Sequence, residues 1–140
     1  MINNIWDNTL VDGVDGMVGS YVNFGIKMDK GGMDITDLHN VQSVFKKYRP
    51  RVIIHLAAET NMSKCEEDPA RCYLVNSVGT YNLAVAAREV GAKMVYASTD
   101  AVFNGLKNKP YDEGDVPDPR NFYGHSKYLG ELALKGILDN

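Results

Sequence analysis

Two stretches of the chain are almost continuously apolar: Val52-Ile53-Ile54-His55-Leu56-Ala57-Ala58 and Lys93-Met94-Val95-Tyr96-Ala97-Ser98. Runs without alternation suit strands of a parallel sheet that is covered on both faces. Between them Leu74, Val78, Tyr81 and Val85 recur at steps of four, three and four, which is a helical stripe. Asp68-Pro69 fits the start of that helix, with proline near its first position, and Gly91 fits its end. Upstream, Leu38, Val41, Phe45 and Tyr48 mark an earlier helix, capped by Thr36 or Asp37 and stopped at Pro50. Alternating strands and helices of this kind predict an α/β fold with a doubly wound parallel sheet. Residues 99–121 hold Gly105, Pro110, Gly114, Pro117 and Pro119 and read as a long functional loop. A last helix is expected over about 122–138. In the opening third only Thr9-Leu10-Val11-Asp12 resembles a strand, with a second short one near Ile26-Lys27-Met28.

Composition narrows the class of protein without naming it. A length of 140 residues fits one domain, and a 44% hydrophobic fraction is enough for a core. The net charge of −3 is mixed along the chain, which predicts neither a nucleic-acid partner nor an anionic membrane surface. The apolar runs are far shorter than a bilayer span. The N-terminus lacks the basic and apolar regions of a signal peptide, so a cytoplasmic location is expected. Cys65 and Cys72 are spaced as neither a zinc site nor a redox pair, and no metal is expected. They read as ordinary thiols beside or within a helix.

The chemistry concentrates in three places. Gly13-Val14-Asp15-Gly16-Met17-Val18-Gly19 is G-x-x-G-x-x-G after a candidate strand. Such glycines permit a tight turn and close approach of backbone to a pyrophosphate, which the next helix N-terminus then favours. Alone, a turn with three glycines fits this motif as well as a dinucleotide site does. Thr99 ends the second apolar run, where ligands of open α/β sheets collect. Its hydroxyl suits either polarisation of a substrate carbonyl or a local turn bond. Tyr123-Gly124-His125-Ser126-Lys127 is a Y-x-x-x-K, and residues i and i+4 share a helix face. A free phenol titrates near 10, and a neighbouring cation favours its phenolate. Such a pair can pass a proton to a carbonyl oxygen while hydride reaches the carbon. The plainer alternative is an aromatic core residue beside a solvated lysine. Asn76, an indifferent helix former inside the middle helix, is a further candidate. His55 reads as a core histidine, and Glu66-Glu67-Asp68 as a cluster serving the next helix N-terminus.

Several motifs in order carry a family resemblance. Asp34-Ile35-Thr36-Asp37, the run from Arg51 to Thr60, Asn76-Ser77-Val78-Gly79-Thr80, Ser98-Thr99-Asp100-Ala101-Val102-Phe103 and Tyr123 to Lys127 together resemble the extended short-chain dehydrogenase/reductases. Within them the likeness is to the dTDP-4-dehydrorhamnose reductase family, and it is strong from about Asp34 to Leu134. The resemblance implies a Rossmann-like domain binding NADPH or NADH and reducing the 4-keto group of a nucleotide-linked deoxysugar. It implies Tyr123 as proton donor, Lys127 as the ribose-binding cation that tunes Tyr123, Thr99 at the sugar carbonyl, and Asn76 as the active-site asparagine. It matches Gly13, Gly16 and Gly19 to the phosphate loop, Asp34 and Ile35 to the adenine end, and Ala57, Ala58 and Thr60 to the cofactor-lining strand end.

The chain departs from that family in three respects. Trp6-Asp7-Asn8 stands where an apolar first strand is expected, and the segment between Gly19 and Asp34 is short. The family also continues past the Y-x-x-x-K helix into a C-terminal substrate domain. The expectation is therefore one incomplete NAD(P)-binding domain over 1–140, with weak or no turnover by itself and a homodimer covering the open sheet edge. A non-catalytic dinucleotide- or partner-binding module, or an inactive fragment, is the alternative. The regulatory beta subunit of methionine adenosyltransferase, which resembles the same family, illustrates such a use.

Overall fold

The computed structural model describes residues 9–12 and 33–138 of the chain. Three strands form one sheet in the order β1-β2-β3: β1 (Thr9–Asp12), β2 (Val52–His55) and β3 (Lys93–Tyr96). β2 and β3 are parallel, with Val52 opposite Lys93 and His55 opposite Tyr96. A parallel pair needs a crossover, and here it is helical: α2 (Met62–Glu67), α3 (Pro69–Tyr73), a π-helical segment (Leu74–Val78) and α4 (Gly79–Val90). This unit bears out the α/β class. β1 differs in direction: it runs antiparallel to β2, with Thr9 opposite His55. The described sheet is therefore mixed, as when an antiparallel strand joins an otherwise parallel doubly wound sheet. The glycine triplet and the candidate strand near Ile26 lie outside the described residues.

The helix boundaries follow their local chemistry. α1 (Leu38–Tyr48) starts at Asp37, whose carboxylate accepts from the backbone N–H groups of His39 and Asn40. That satisfies two of the donors a helix start leaves unpaired. The helix ends at Arg49, in the left-handed region at φ 46°, with Pro50 next. Asp68 caps α3 through Arg71 N–H and Pro69 takes the first turn, while Gly91 closes α4 at φ 72°. α5 (Phe122–Leu138) runs as the sequence predicts. α2, capped by Asn61, was not predicted.

The core lies between the sheet, α1 and α4, around Val41, Phe45, Ile53, Val75 and Leu83. Burying each of these side chains stabilises the fold by about 1.5–3 kcal/mol. The apolar stripe of the middle helix points the other way. Leu74, Val78 and Tyr81 are 39%, 43% and 48% exposed. The buried side carries Val75 and Leu83 and is otherwise small or polar, with Asn76, Gly79, Thr80, Ala84, Ala86 and Ala87. Two causes combine. The π-helical segment adds a residue to the turn and rotates the α4 residues beyond it. The small residues let the helix come close: a Cβ on Gly79 would sit 2.7 Å from Ile35 Cδ1. β3 also departs from expectation. It stands at the end of the described sheet, and Val95 is 55% exposed rather than covered on both faces.

Candidate active site

Because β2 and β3 are parallel, their carboxyl ends lie side by side, and residues 56–61 and 97–103 leave the sheet at the same edge. Ligands of open α/β sheets bind outside such ends. α5 brings Tyr123 and Lys127 to this edge through close backbone contact. Its first turn presses on the 3₁₀ turn Asp100–Val102, so that a Cβ on Gly124 would lie 2.1 Å from the Ala101 carbonyl oxygen. Asn121 Oδ1 accepts from Gly124 N–H at 2.7 Å, and Glu66 Oε1 accepts from Phe122 N–H at 2.9 Å. Glu66 therefore anchors α5, a different helix from the one its acidic cluster was expected to serve.

Thr99 is extended and caps the 3₁₀ turn, its Oγ1 accepting from Ala101 N–H at 3.2 Å. The hydroxyl proton points to the exposed Asp100 carboxylate at 3.3 Å, a long bond. The turn bond thus occupies one oxygen lone pair and leaves the donor weakly held at the sheet edge. Tyr123 is half-buried in the first turn of α5.

Lys127 is 3% exposed, an unusual place for an ammonium. Its Nζ donates to the Ala97 carbonyl at 2.7 Å and stands 4.0 Å from the centroid of the Tyr96 ring. Burial pushes its pKa down to about 8, against which the Glu131 carboxylate acts. Glu131 is held at the same edge by the Ser98 hydroxyl. A lysine lowered to about 8 is still mostly a cation at pH 7 but gives up its proton more readily than an exposed lysine does.

Asn76 sits in the π-helical segment, fully buried. Its Oδ1 accepts from Glu59 N–H, and its Nδ2 lies within bonding reach of the Glu59 carbonyl and Ser126 Oγ, at 3.0 and 2.9 Å. It ties the loop after β2 to α5 directly beside Lys127. Ser126 also donates to the Tyr123 carbonyl, and its oxygen lies 3.2 Å from Cys72 Sγ. Cys65 and Cys72 are buried and free, and burial, with Cys72 beside it, raises the pKa of the Cys65 thiol.

The residues matched to the cofactor are dispersed. Ala57 is buried, Ala58 half-buried and Thr60 exposed along the loop after β2. Asp34 is exposed and accepts from the backbone and hydroxyl of Thr36. Ile35 is buried in the core against Gly79, and its carbonyl accepts from Asn82 Nδ2. Its side chain is therefore packed into the core rather than presented to a ligand.

His55 is the buried titratable group next to this edge. Its Nε2 is 2.9 Å from Thr80 Oγ1, which itself donates to the Asn76 carbonyl at 2.6 Å. Thr80 has one proton, so His55 must donate from Nε2, and its Nδ1 is a buried acceptor with no partner. Burial lowers its pKa to about 3, with Lys127 adding to the effect. The folded pKa is below the unfolded one, so the unfolded chain takes up a proton below pH 6.5 that the folded chain refuses. Stability is expected to fall by about 1.4 kcal/mol per pH unit between pH 6 and 4 from this group. Urea titrations of wild type and His55→Phe should show the steeper acid loss in wild type. Equal slopes would contradict the buried neutral imidazole.

The sequence pattern did not single out Tyr96, Ser98, Ser126 or Glu131. The signals were slight: an aromatic inside an apolar run, and an acid four residues beyond the lysine of the Y-x-x-x-K.

A parallel strand pair joined by a helical crossover, with a Y-x-x-x-K helix at its carboxyl ends, defines a Rossmann-like α/β domain. The chain belongs to the family described as the RmlD substrate binding domain, whose model matches residues 8–139. It is 40% identical over 111 residues to a dTDP-4-dehydrorhamnose reductase of Streptomyces griseus, covering 79% of this chain and 36% of that protein. It is also 40% identical over 102 residues to methionine adenosyltransferase 2 subunit beta of Xenopus tropicalis, covering 73% and 30%. The crystal structure of a dTDP-4-dehydrorhamnose reductase from Bacillus anthracis in complex with NADP superposes with a TM-score of 0.74 at 46% identity, covering 75% of this chain and 38% of that one. The chain thus spans less than two-fifths of the length of these proteins. No helix among the described residues is long and apolar enough to cross a membrane.

Proposed function

We propose that this chain forms the NAD(P)H-binding part of a reductase acting on a nucleotide-linked 4-keto-6-deoxysugar, with dTDP-4-dehydrorhamnose as the substrate class. The observation that carries this reading is the buried Lys127 ammonium at the carboxyl end of β3, bonded to the Ala97 carbonyl two residues before Thr99 and one helical turn beyond Tyr123. Lys127 binds the nicotinamide ribose. Thr99 offers its weakly held proton to the sugar carbonyl. Tyr123 passes its proton to the carbonyl oxygen as the cofactor, when bound, supplies hydride to the carbon. Asn76 holds the loop after β2 and α5 in register around that centre. Gly13, Gly16 and Gly19 receive the pyrophosphate, Asp34 and the Ile35 backbone flank the adenine, and Ala57, Ala58 and Thr60 line the path between.

The likeness to an adenosyltransferase subunit beta supports a second reading, a dinucleotide-binding module without turnover. Both readings place the protein in the cytoplasm, with neither nucleic acid nor membrane as partner. A homodimer is part of the proposal, because exposed Leu74, Val78 and Tyr81, and β3 at the end of the described sheet, favour a protein neighbour.

Calorimetric titration with NADPH and NADH tests the shared premise. Binding of either is expected, weakening as pH rises past 8 and Lys127 loses its charge. No heat and no thermal shift with either would overturn both readings.

A further inference from the structure

Lys127 is held by an aromatic assembly for which the proposed chemistry has no use. The Tyr96 ring that faces its ammonium is itself fixed at three points. His55 stacks on it, with centroids 5.2 Å apart and planes 29° from parallel. The Tyr96 hydroxyl donates a long bond to the Lys127 carbonyl at 3.4 Å. Gly130 makes room for that hydroxyl, since a Cβ there would lie 2.6 Å from it. His55 cannot turn away freely, because its Nε2 is bonded to Thr80 Oγ1, which is itself tied to the Asn76 carbonyl. Chance packing of an aromatic in a core does not demand a glycine at the phenol and a bonded histidine at the ring.

We propose that Tyr96 is a positioning residue for Lys127: its ring face, backed by His55 and cleared by Gly130, holds the buried ammonium at the carboxyl end of β3. The proposal rests on the reading of Lys127 as the ribose-binding cation. A buried ammonium has three donors to satisfy, and the Ala97 carbonyl takes one. An aromatic face attracts a desolvated cation without fixing its direction. It therefore keeps Lys127 charged and in place while leaving N–H groups to turn towards an incoming hydroxyl. Glu131 on the same helix assists by charge and is tethered to Ser98. Tyr96 remains a phenol throughout, because burial raises its pKa. It exchanges no proton and touches no substrate.

The test is nuclear magnetic resonance of the full chain labelled at its lysines, paired with NADPH titration. In wild type the Lys127 εCH2 protons are expected upfield of every exposed lysine, shifted by the ring current. Tyr96→Phe keeps the face and should preserve both that shift and the affinity. Tyr96→Leu keeps apolar bulk but no face. It should lose the shift and weaken NADPH binding about tenfold. A Lys127 signal at the exposed-lysine position in wild type overturns the proposal without any variant. So does a Tyr96→Leu spectrum that leaves the signal in place. Lys127→Met separates the two layers. If it binds NADPH as wild type does, the cofactor reading fails. If it loses binding while Tyr96→Leu binds normally, the positioning role alone fails.

Discussion

Gly124→Ala is expected to destabilise the protein by about 3 kcal/mol or more, while Gly136→Ala, on the same helix, stabilises it slightly. Propensity alone favours alanine at both positions, by about 1 kcal/mol. Contact decides otherwise at the first. A Cβ at 124 meets the Ala101 carbonyl oxygen at 2.1 Å and its carbon at 2.8 Å, whereas among the described residues nothing lies within 4 Å of one at 136. The obstructing atoms are backbone, so no rotamer change relieves the clash. Either α5 lifts off the 3₁₀ turn or the turn moves. Overpacking of that kind typically costs about 1–3 kcal/mol and more where the backbone must shift. Because the same contact docks the first turn of α5, which carries Tyr123, on the turn that follows Thr99, any surviving fold should also disturb the proposed site. Urea unfolding of both variants checks the sign at each position. Equal stability of Gly124→Ala and wild type would mean that α5 does not dock on the turn as described.

In the proposed reaction, Tyr123→Phe is expected to slow reduction by about a hundredfold to ten-thousandfold, the range for losing a positioned general acid. That corresponds to about 2.7–5.5 kcal/mol of barrier. The ring is half-buried at the start of α5, and phenylalanine fills the same space, so folding and cofactor binding should change little. What disappears is the proton. An alkoxide forming at the sugar carbon would then have to draw on Thr99, whose hydroxyl is also engaged in the turn, or on water. Loss confined to the chemical step would mark the phenol as the acid. Loss of cofactor binding instead would mark it as part of the binding surface.

Much of this was legible in the sequence because it rests on local rules. Asp37, Asp68, Pro69, Gly91 and Pro50 act within a few residues of themselves, and they bound the helices they were expected to bound. The parallel pair was legible from two apolar runs with a helix between. The outward turn of Leu74, Val78 and Tyr81 was not. Spacing tells that a helix exists but not which face the fold buries. Here small residues and a π-helical turn settled that face in favour of close approach. The direction of β1 was equally hidden, since pairing partners lie far apart in the chain. At the site, Tyr123, Lys127 and Thr99 stood out by residue type and spacing. Tyr96 did not, and His55 reads from the sequence only as the core histidine it is, because a cation over a ring and a half-bonded imidazole are created only when β2, β3 and α5 meet.

The most direct test of the central claim traces deuterium. The chain, in excess over dTDP-4-dehydrorhamnose, is mixed with NADPH deuterated at the nicotinamide C4, and the sugar nucleotide is weighed by mass spectrometry. The Thr99, Tyr123 and Lys127 arrangement predicts reduced sugar carrying one deuterium at C4, formed far more slowly in Tyr123→Phe. Bound NADPH with no deuterium in the sugar, or equal rates in wild type and Tyr123→Phe, would contradict it.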